Sequence, residues 1–405
     1  MLRDFFYFCC MAIILFDDNS HQTLLPLTYT RPVADLRIGI LTIAEKWAKY
    51  FNLAYSFSTA EYLQSKFPVR IEDRNLFING SVCPDQELYD AILKLQGSEA
   101  LVKDGLFIAV KLNQWDAKEF DANNLSAYKK VDYTGEPVIV KYPEDIFKKN
   151  DIELRKDFEL LTAGRTSATI SSTNVIIGND FFAEDGAVAE CSTFNTTNGP
   201  IYLGKHTEVW EGTHIRGGFA LCEHSQVKMG AKIYGATTIG PHSRVGGEIS
   251  NAVIWGYSSK GHDGFLGNSV MGEWCNIGAD SNNSNLKNNY GEVKLWDYPS
   301  RHFRKTGLQF CGLIMGDHSK CGINTMFNTG TVVGVSANIF GSGMPLNFVP
   351  DFAWGGGTDF GTYSLKKMFE TAERVYSRRD RVFDDTEKHI LEKVFELTQE
   401  YREIF

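Results

Sequence analysis

The stretch LGKHTEVWEGTHIRGGFALCEHSQVKMGAKIYGATTIGPHSRV, residues 203–245, decides the fold of the second half of this chain. Counting in sixes from Leu203 lands on Val209, Ile215, Leu221, Val227, Ile233, Ile239 and Val245. A second run holds Met315, Cys321, Phe327, Val333 and Ile339, and glycine directly follows the apolar residue at Gly204, Gly240, Gly316, Gly322 and Gly334. A period of six fits neither an α-helix nor a flat amphipathic strand. It fits a triangular coil of three short strands, each face pointing one aliphatic residue inward, with Gly, Asn or a small residue at each corner. Strands stacked coil upon coil satisfy each other's backbone groups. The count predicts a parallel β-helix from about 175 to about 341, with Asn174–Gly178 as a first, less regular coil.

Two segments break the period. One is 256–264, which carries His262 between glycines; the other, about 280–311, is polar and rich in asparagine. Interruptions of a solenoid are expected to become loops on one face, where repeat proteins place function. His206, His224 and His242 are 18 residues apart, one coil, and His318 shares their hexad position. They read as solvated corner residues; the alternative is a metal site of the kind used by β-helical hydratases. His262 lies off that register, and a histidine near neutrality suits removal of a proton from an attacking amine.

The first half opens differently. Ala12-Ile13-Ile14-Leu15-Phe16 reads as a strand, followed by the loop Asp17–Gln22 and an amphipathic segment with Ile38, Leu41, Ile43, Ala44 and Trp47. That order begins a Rossmann-like nucleotide-binding α/β domain. After Gly355-Gly356-Gly357, helical periodicity over Tyr363–Ser377 and Asp385–Ile404 predicts two helices that cover the open end of the β-helix or a subunit contact. The predicted boundaries are 1–10 for an extension upstream of a natural start at Met11, 11–165 for the α/β domain, 166–345 for the β-helix and 346–405 for the helical tail.

The formal charge of −9 argues against a nucleic-acid footprint, and no stretch is long and apolar enough to span a membrane. Eight cysteines without C-x-x-C spacing read as buried small hydrophobes in a reducing, cytoplasmic setting.

The run His262–Gly267, then Asn276–Ala279, Asn285-Leu286 and Glu292–Lys294, resembles the acetyltransferase loop of the bifunctional glucosamine-1-phosphate N-acetyltransferase/UDP-N-acetylglucosamine pyrophosphorylases. The early PLTYTRPVADLR, residues 26–37, resembles a variant subgroup of those sugar nucleotidyltransferases. The resemblance implies a left-handed β-helix, against the usual crossover hand. It implies His262 as general base, Asn276, Asn285 and Lys294 as substrate contacts, acetyl-CoA as acyl donor and a homotrimer. Departures are Phe265 in place of tyrosine and Gly246 in place of an arginine, with Arg244 nearby and Arg301, Arg304 and Lys305 as substitutes for phosphate contacts.

For the first half, the resemblance implies UTP or another nucleoside triphosphate bound near Asp17, Asp18, Asn79 and Gly80. Arg31 and Arg37 would stand in for the family's lysine. The glycine-rich loop that normally cradles the phosphates is absent. Either Asp17, Asp18 and Asp145 form a rearranged Mg²⁺ site, or this half binds without catalysing.

Overall fold

A computed structural model describes residues 11–357 and 359–403; the extension 1–10, with Cys9 and Cys10, and Ile404 of the second tail helix lie outside the described residues. The chain divides into two compact units, one from residues up to 24, 30–36 and 41–142, the other from 25–29, 37–40 and 143 onward.

The first unit is built on a six-stranded sheet. Its strands are β1 (Met11–Phe16), β2 (Tyr55–Ser58), β3 (Arg74–Asn79), β4 (Glu99–Lys103), β5 (Leu106–Asn113) and β6 (Lys129–Asp132), in the order β2-β1-β3-β5-β4-β6. β1 runs parallel to both β2 and β3, while β5 is antiparallel to β3. Helix α1 (Ile43–Phe51) starts at a capping box in which Thr42 accepts from Glu45 N and Glu45 returns the bond. Its Trp47 is fully buried and donates its indole N–H to Val82 O at 2.9 Å. A second helix, α2 (Gln86–Lys94), is capped by Asp85. The chain leaves β1 toward β2 on one side and reaches β3 on the other, so the carboxyl ends of β1 and β3 form a topological switch point.

The second unit is a parallel β-helix with helices on it. Each coil has three short strands, and each strand pairs in parallel with its counterpart one coil on: Leu203 with Leu221, Val209 with Val227, Ile215 with Ile233. All eight residues of the first hexad run and all five of the second belong to one buried core. Burying so many aliphatic side chains, at ~1.5–3 kcal/mol each, is what holds the coil closed. The first coil begins at Val175–Ile177, paired with Thr193–Asn195, as the count predicts. The serines after His224, His242 and Tyr257 tie their coils to the next: Ser225 Oγ donates to Gly240 O, Ser243 Oγ to Trp255 O and Ser258 Oγ to Gly272 O, at 2.6–2.7 Å.

The two period breaks differ in kind. Val227 pairs with Val245, 18 positions on, but Val245 pairs with Lys260, only 15 positions on. The three missing positions fall at 246–254, where the inward residues Val245, Ile249 and Ile254 are four and five apart; segment 256–264 keeps the six-residue step from Ile254 through Lys260 to Leu266 and is not an inserted loop. The 280–311 segment is a true insertion: Ile277 pairs with Cys321, and between them lies a hairpin of Lys294–Asp297 against His302–Lys305.

Helix α3 (Pro143–Thr162) lies on the β-helix, where Asn150 Nδ2 donates to Ala236 O and Thr238 Oγ1. Helices α4 (Leu365–Ser377) and α5 (Asp385–Leu397) flank one corner of the coils, with Tyr376 on Trp274 and Phe395 on Phe352. Of the six described cysteines five are buried as expected, whereas Cys191 is exposed. Among the described residues no helix is long and apolar enough to cross a membrane.

Candidate functional site

Two groups of the expected site residues come together on the β-helix, and His262 stands at the corner between them. The first group is an outward row on one face, which the register sets as Glu208, Gln226, Arg244, Ser259, Asn276 and Lys320. Arg244 and Asn276 are thus two coils apart on one face, roughly 10 Å at the strand spacing of a sheet. Asn276 is an exposed strand residue and not a corner asparagine. The second group is on the next face: Phe265 and Asn285 meet above Gly267, where a Cβ would stand 2.4 Å from the phenyl ring and 2.8 Å from the amide nitrogen. Asn285 Nδ2 donates to Asn268 Oδ1 at 2.8 Å, and Phe265 N donates to Asn282 Oδ1 at 2.7 Å.

His262 occupies the turn from strand Ser259–Lys260 to strand Phe265–Met271, and it is exposed. By the register its neighbours one coil either way are Gly247 and Ala279. Neither has a side chain that could stack on the ring, and among the described residues no hydrogen bond to the ring is formed. The turn itself is fixed from below by Lys260. This lysine takes an inward core position yet is buried, and its ammonium donates to Gly246 O at 3.1 Å and to His262 O at 2.5 Å. Burial pushes the ammonium down to about 8, against the pull of Asp263 and Asp280. Asn283, also inward and buried, binds both backbone groups of Gly267. Two polar residues among otherwise apolar inward positions, one on each of two adjoining faces, therefore bracket the His262 turn.

Lys294 is exposed on the inserted hairpin, opposite Lys305. The substitute phosphate contacts expected there are committed elsewhere. Arg304 binds both oxygens of Glu144 at 2.7 and 2.9 Å, Arg301 pairs with Glu400, and Lys305 lies 3.8 Å from Glu292.

The repeated histidines form a different corner. His206, His224, His242, Tyr257 and Trp274 stack face to face with centroids 4.2–5.1 Å apart, and Tyr376 closes the pile on Trp274 at 3.8 Å. Each column residue has a left-handed φ between 54° and 60°, and at the rung before them Gly186 leaves room that a Cβ, 2.3 Å from His206 Nδ1, would fill. Parallel rings present faces to one another, so their nitrogens do not converge. Among the described residues no group of three His, Cys, Asp or Glu side chains is placed to hold a metal. Burial, then the neighbouring His224 and the Arg381 and Arg379 charges, hold the His242 imidazole below its usual range, with Glu223 pulling the other way.

In the first unit, Asp17, Asp18, Asn79 and Gly80 gather at the switch point. Gly80 N donates to Phe16 O at 2.8 Å, and Asn79 Nδ2 donates to Asp18 Oδ2 at 2.8 Å. A cleft of about 530 Å³ opens beside them, lined among others by Asp18, Ser20, Ser81, Lys103 and Lys141. The aspartates are used locally. Asp17 accepts from Val33 N, Thr59 Oγ1 and the His21 ring, while Asp18 also accepts from Ser20 N. Asp145 belongs to the second unit and pairs with Lys149 at 2.9 Å. Within the first unit, and among the described residues, Asp17 and Asp18 have no third His, Cys, Asp or Glu side chain placed with them to hold a metal. Arg31 is buried and paired with Asp35, and Arg37, in the second unit, donates to Ile40 O, so neither guanidinium is presented as a free phosphate contact.

Sequence reasoning missed Lys260 and Asn283, which only the register shows to point inward. It also missed the cations of 378–381, read as a featureless tail.

The chain is an α/β domain followed by a parallel β-helix and helices, and its residues 13–166 match the family model described as "Sugar nucleotidyl transferase". No curated protein matches the chain. Among solved structures, the UDP-N-acetylglucosamine acyltransferase of Francisella novicida is 13% identical over 55% of this chain and 90% of that one, with a TM-score of 0.32. The Arabidopsis UDP-N-acetylglucosamine acyltransferase is 16% identical over 55% of this chain and 88% of its own, with a TM-score of 0.22. Likeness at that level carries no weight for substrate or mechanism.

Proposed function

We propose that the β-helix catalyses acetyl-CoA-dependent N-acetylation of an amino-sugar 1-phosphate, glucosamine 1-phosphate, and that the first unit handles the nucleotide that makes UDP-N-acetylglucosamine. The observation that carries this reading is the His262 corner: an exposed, unstacked imidazole between an outward row with Arg244 and Asn276 and a face with Phe265 and Asn285. His262 takes a proton from the amine as the nitrogen attacks the thioester carbonyl; the C–N bond forms, the C–S bond breaks, and the thiolate leaves to be protonated. Backbone N–H groups are the natural stabilisers of the negative charge that develops on the carbonyl oxygen. Arg244, Asn276, Asn285 and Lys294 hold the sugar phosphate, Arg244 offering a two-pronged contact and Lys294 a point charge. A homotrimer brings neighbouring β-helices together around this corner.

The match over 13–166 supports nucleotide chemistry in the first unit. The committed carboxylates of Asp17 and Asp18 favour a second reading for that unit, in which it binds a nucleotide or nucleotide sugar without transferring it. Two assays separate these readings. Purified protein with glucosamine 1-phosphate and acetyl-CoA should release free thiol, and unchanged release in His262→Ala would sink the proposed base. With N-acetylglucosamine 1-phosphate, UTP and Mg²⁺, release of pyrophosphate supports transfer; its absence, with UTP still bound, supports the binding reading.

A further inference from the structure

Five cations meet where the segment after α4 crosses the stacked corner: Lys228, Arg244, Arg378, Arg379 and Arg381. Arg244 points outward and half-buried from the strand that follows His242, opposite Gln226. Lys228 places its ammonium 3.0 Å from Gln226 Oε1 and 3.6 Å above the centre of the Trp210 ring. Arg381 donates to the Tyr257 hydroxyl at 2.7 Å, with its guanidinium 5.6 Å from the centre of that ring. Arg379 is half-buried among them. Burial, then the charges of Arg244 and Arg378, hold its guanidinium below the usual range, and Lys228 is lowered by burial and then by Arg244.

None of the five forms an ion pair among the described residues. Two of the carboxylates nearby have other partners: Glu208 accepts from Trp210 Nε1 at 2.9 Å and Gln226 Nε2 at 3.1 Å, and Glu223 acts on His242. Arg301, Arg304 and Lys305, by contrast, all have acidic partners. In a chain of net charge −9, folding brings cations from three separate segments into one patch in which, among the described residues, none is ion-paired, with Glu208 acting on Lys228 and Asp380 standing between Arg379 and Arg381. Like charges held together at half-burial repel one another, and a bound anion removes that repulsion.

We propose that this corner is a binding subsite for a multiply charged phosphate group, the di- or triphosphate portion of a nucleotide-bearing ligand, with Arg244 and Arg379 as its main contacts. Guanidinium forks match phosphate oxygens in pairs, and a single carboxylate would leave most of the patch uncompensated. The inference rests on the charge arrangement and shares Arg244 with the acyl-transfer reading; the two fail separately, because triphosphate binding is read without acyl transfer and thiol release without triphosphate. A nucleoside triphosphate and coenzyme A share the required chemistry.

The test uses the full chain at low salt, with melting temperature and calorimetric affinity measured against inorganic triphosphate, UTP and coenzyme A. Inorganic triphosphate should bind saturably and raise the melting temperature, and added salt should weaken it. Arg244→Gln and Arg379→Gln should each lower affinity at least about tenfold. Their unliganded melting temperatures should equal or exceed that of the parent, because repulsion is relieved; this keeps the result separate from misfolding. Tighter binding of UTP or of coenzyme A than of triphosphate identifies the source of the phosphates. Failure of all three to bind at millimolar concentration, or binding unchanged in the double variant, overturns the proposal.

Discussion

Two corners of one β-helix carry histidine, and the coil treats them in opposite ways. At the first, His206, His224 and His242 lie face to face 4.9–5.1 Å apart and continue into Tyr257 and Trp274. At the second, His262 has Gly247 and Ala279 as its column neighbours, and among the described residues its ring stacks on no other. The same side chain is structural where its neighbours above and below are flat and large, and available where they are small. Departure from the six-residue period is not what frees His262, since its turn keeps six positions from Lys260 to Leu266. Its freedom comes from the column it stands in.

The largest effect should separate the two corners by rate. In the thiol-release assay His262→Ala should lower turnover by about 10²-fold or more, the usual contribution of a positioned general base. His224→Ala should leave turnover within a few-fold, with its effect on stability instead. Equal loss in both variants would abolish the distinction between the corners.

The next effect reverses the ranking, because it reads stability. Trp274 is buried and sandwiched between Tyr257 at 4.2 Å and Tyr376 at 3.8 Å. Trp274→Ala should cost about 3–5 kcal/mol in denaturant unfolding. His262→Ala should change it by no more than ~0.5 kcal/mol, as expected of an exposed side chain. A small effect at Trp274 would show that the stack contributes little to holding α4 on the coil.

The inward hexads were legible in the sequence because burial admits only apolar residues there, and Leu203 to Val245 follow that rule without exception. The α/β opening was legible for the same reason, from the apolar run of β1. What stayed hidden depends on register. Counting flags the break after Val245 but cannot tell a coil three residues short from an inserted loop, so Lys260 looked like a loop residue although it points inward. His262 could be singled out, but not why it is free, since Gly247 and Ala279 are its neighbours only after the coils are aligned. Arg379 meets Arg244 only because α4 docks on the column, and nothing in the spacing of 378–381 announces that.

Lys260 provides a pH test of how the second corner is held. Its folded-state ammonium titrates at about 8, below the unfolded value of 10.5. Between those values the unfolded chain binds more protons, so stability rises with pH over that window. Lys260→Met removes the buried charge but strands the carbonyls of Gly246 and His262, for a net gain of roughly 1 kcal/mol at pH 7. The advantage over the parent should shrink as pH rises from about 8 toward 10.5. A constant difference across that range would mean that the ammonium is not the source of the strain.

The smallest effect probes the first corner from the acid side. The folded His242 pKa lies below the unfolded value, so its contribution is fully present above the unfolded pKa of about 6.5 and is lost as pH falls below it. Protonating a half-buried ring stacked on another imidazole and facing Arg379 and Arg381 adds like charge to like. His242→Tyr keeps the stack, as Tyr257 does one coil on, and carries no proton to gain. Melting curves from pH 7.5 to 5 should therefore fall more steeply for the parent than for the variant, by about 1–2 °C after solvent screening. Equal slopes in the parent and in His242→Tyr would show that charge on this ring is not what the stacked corner resists.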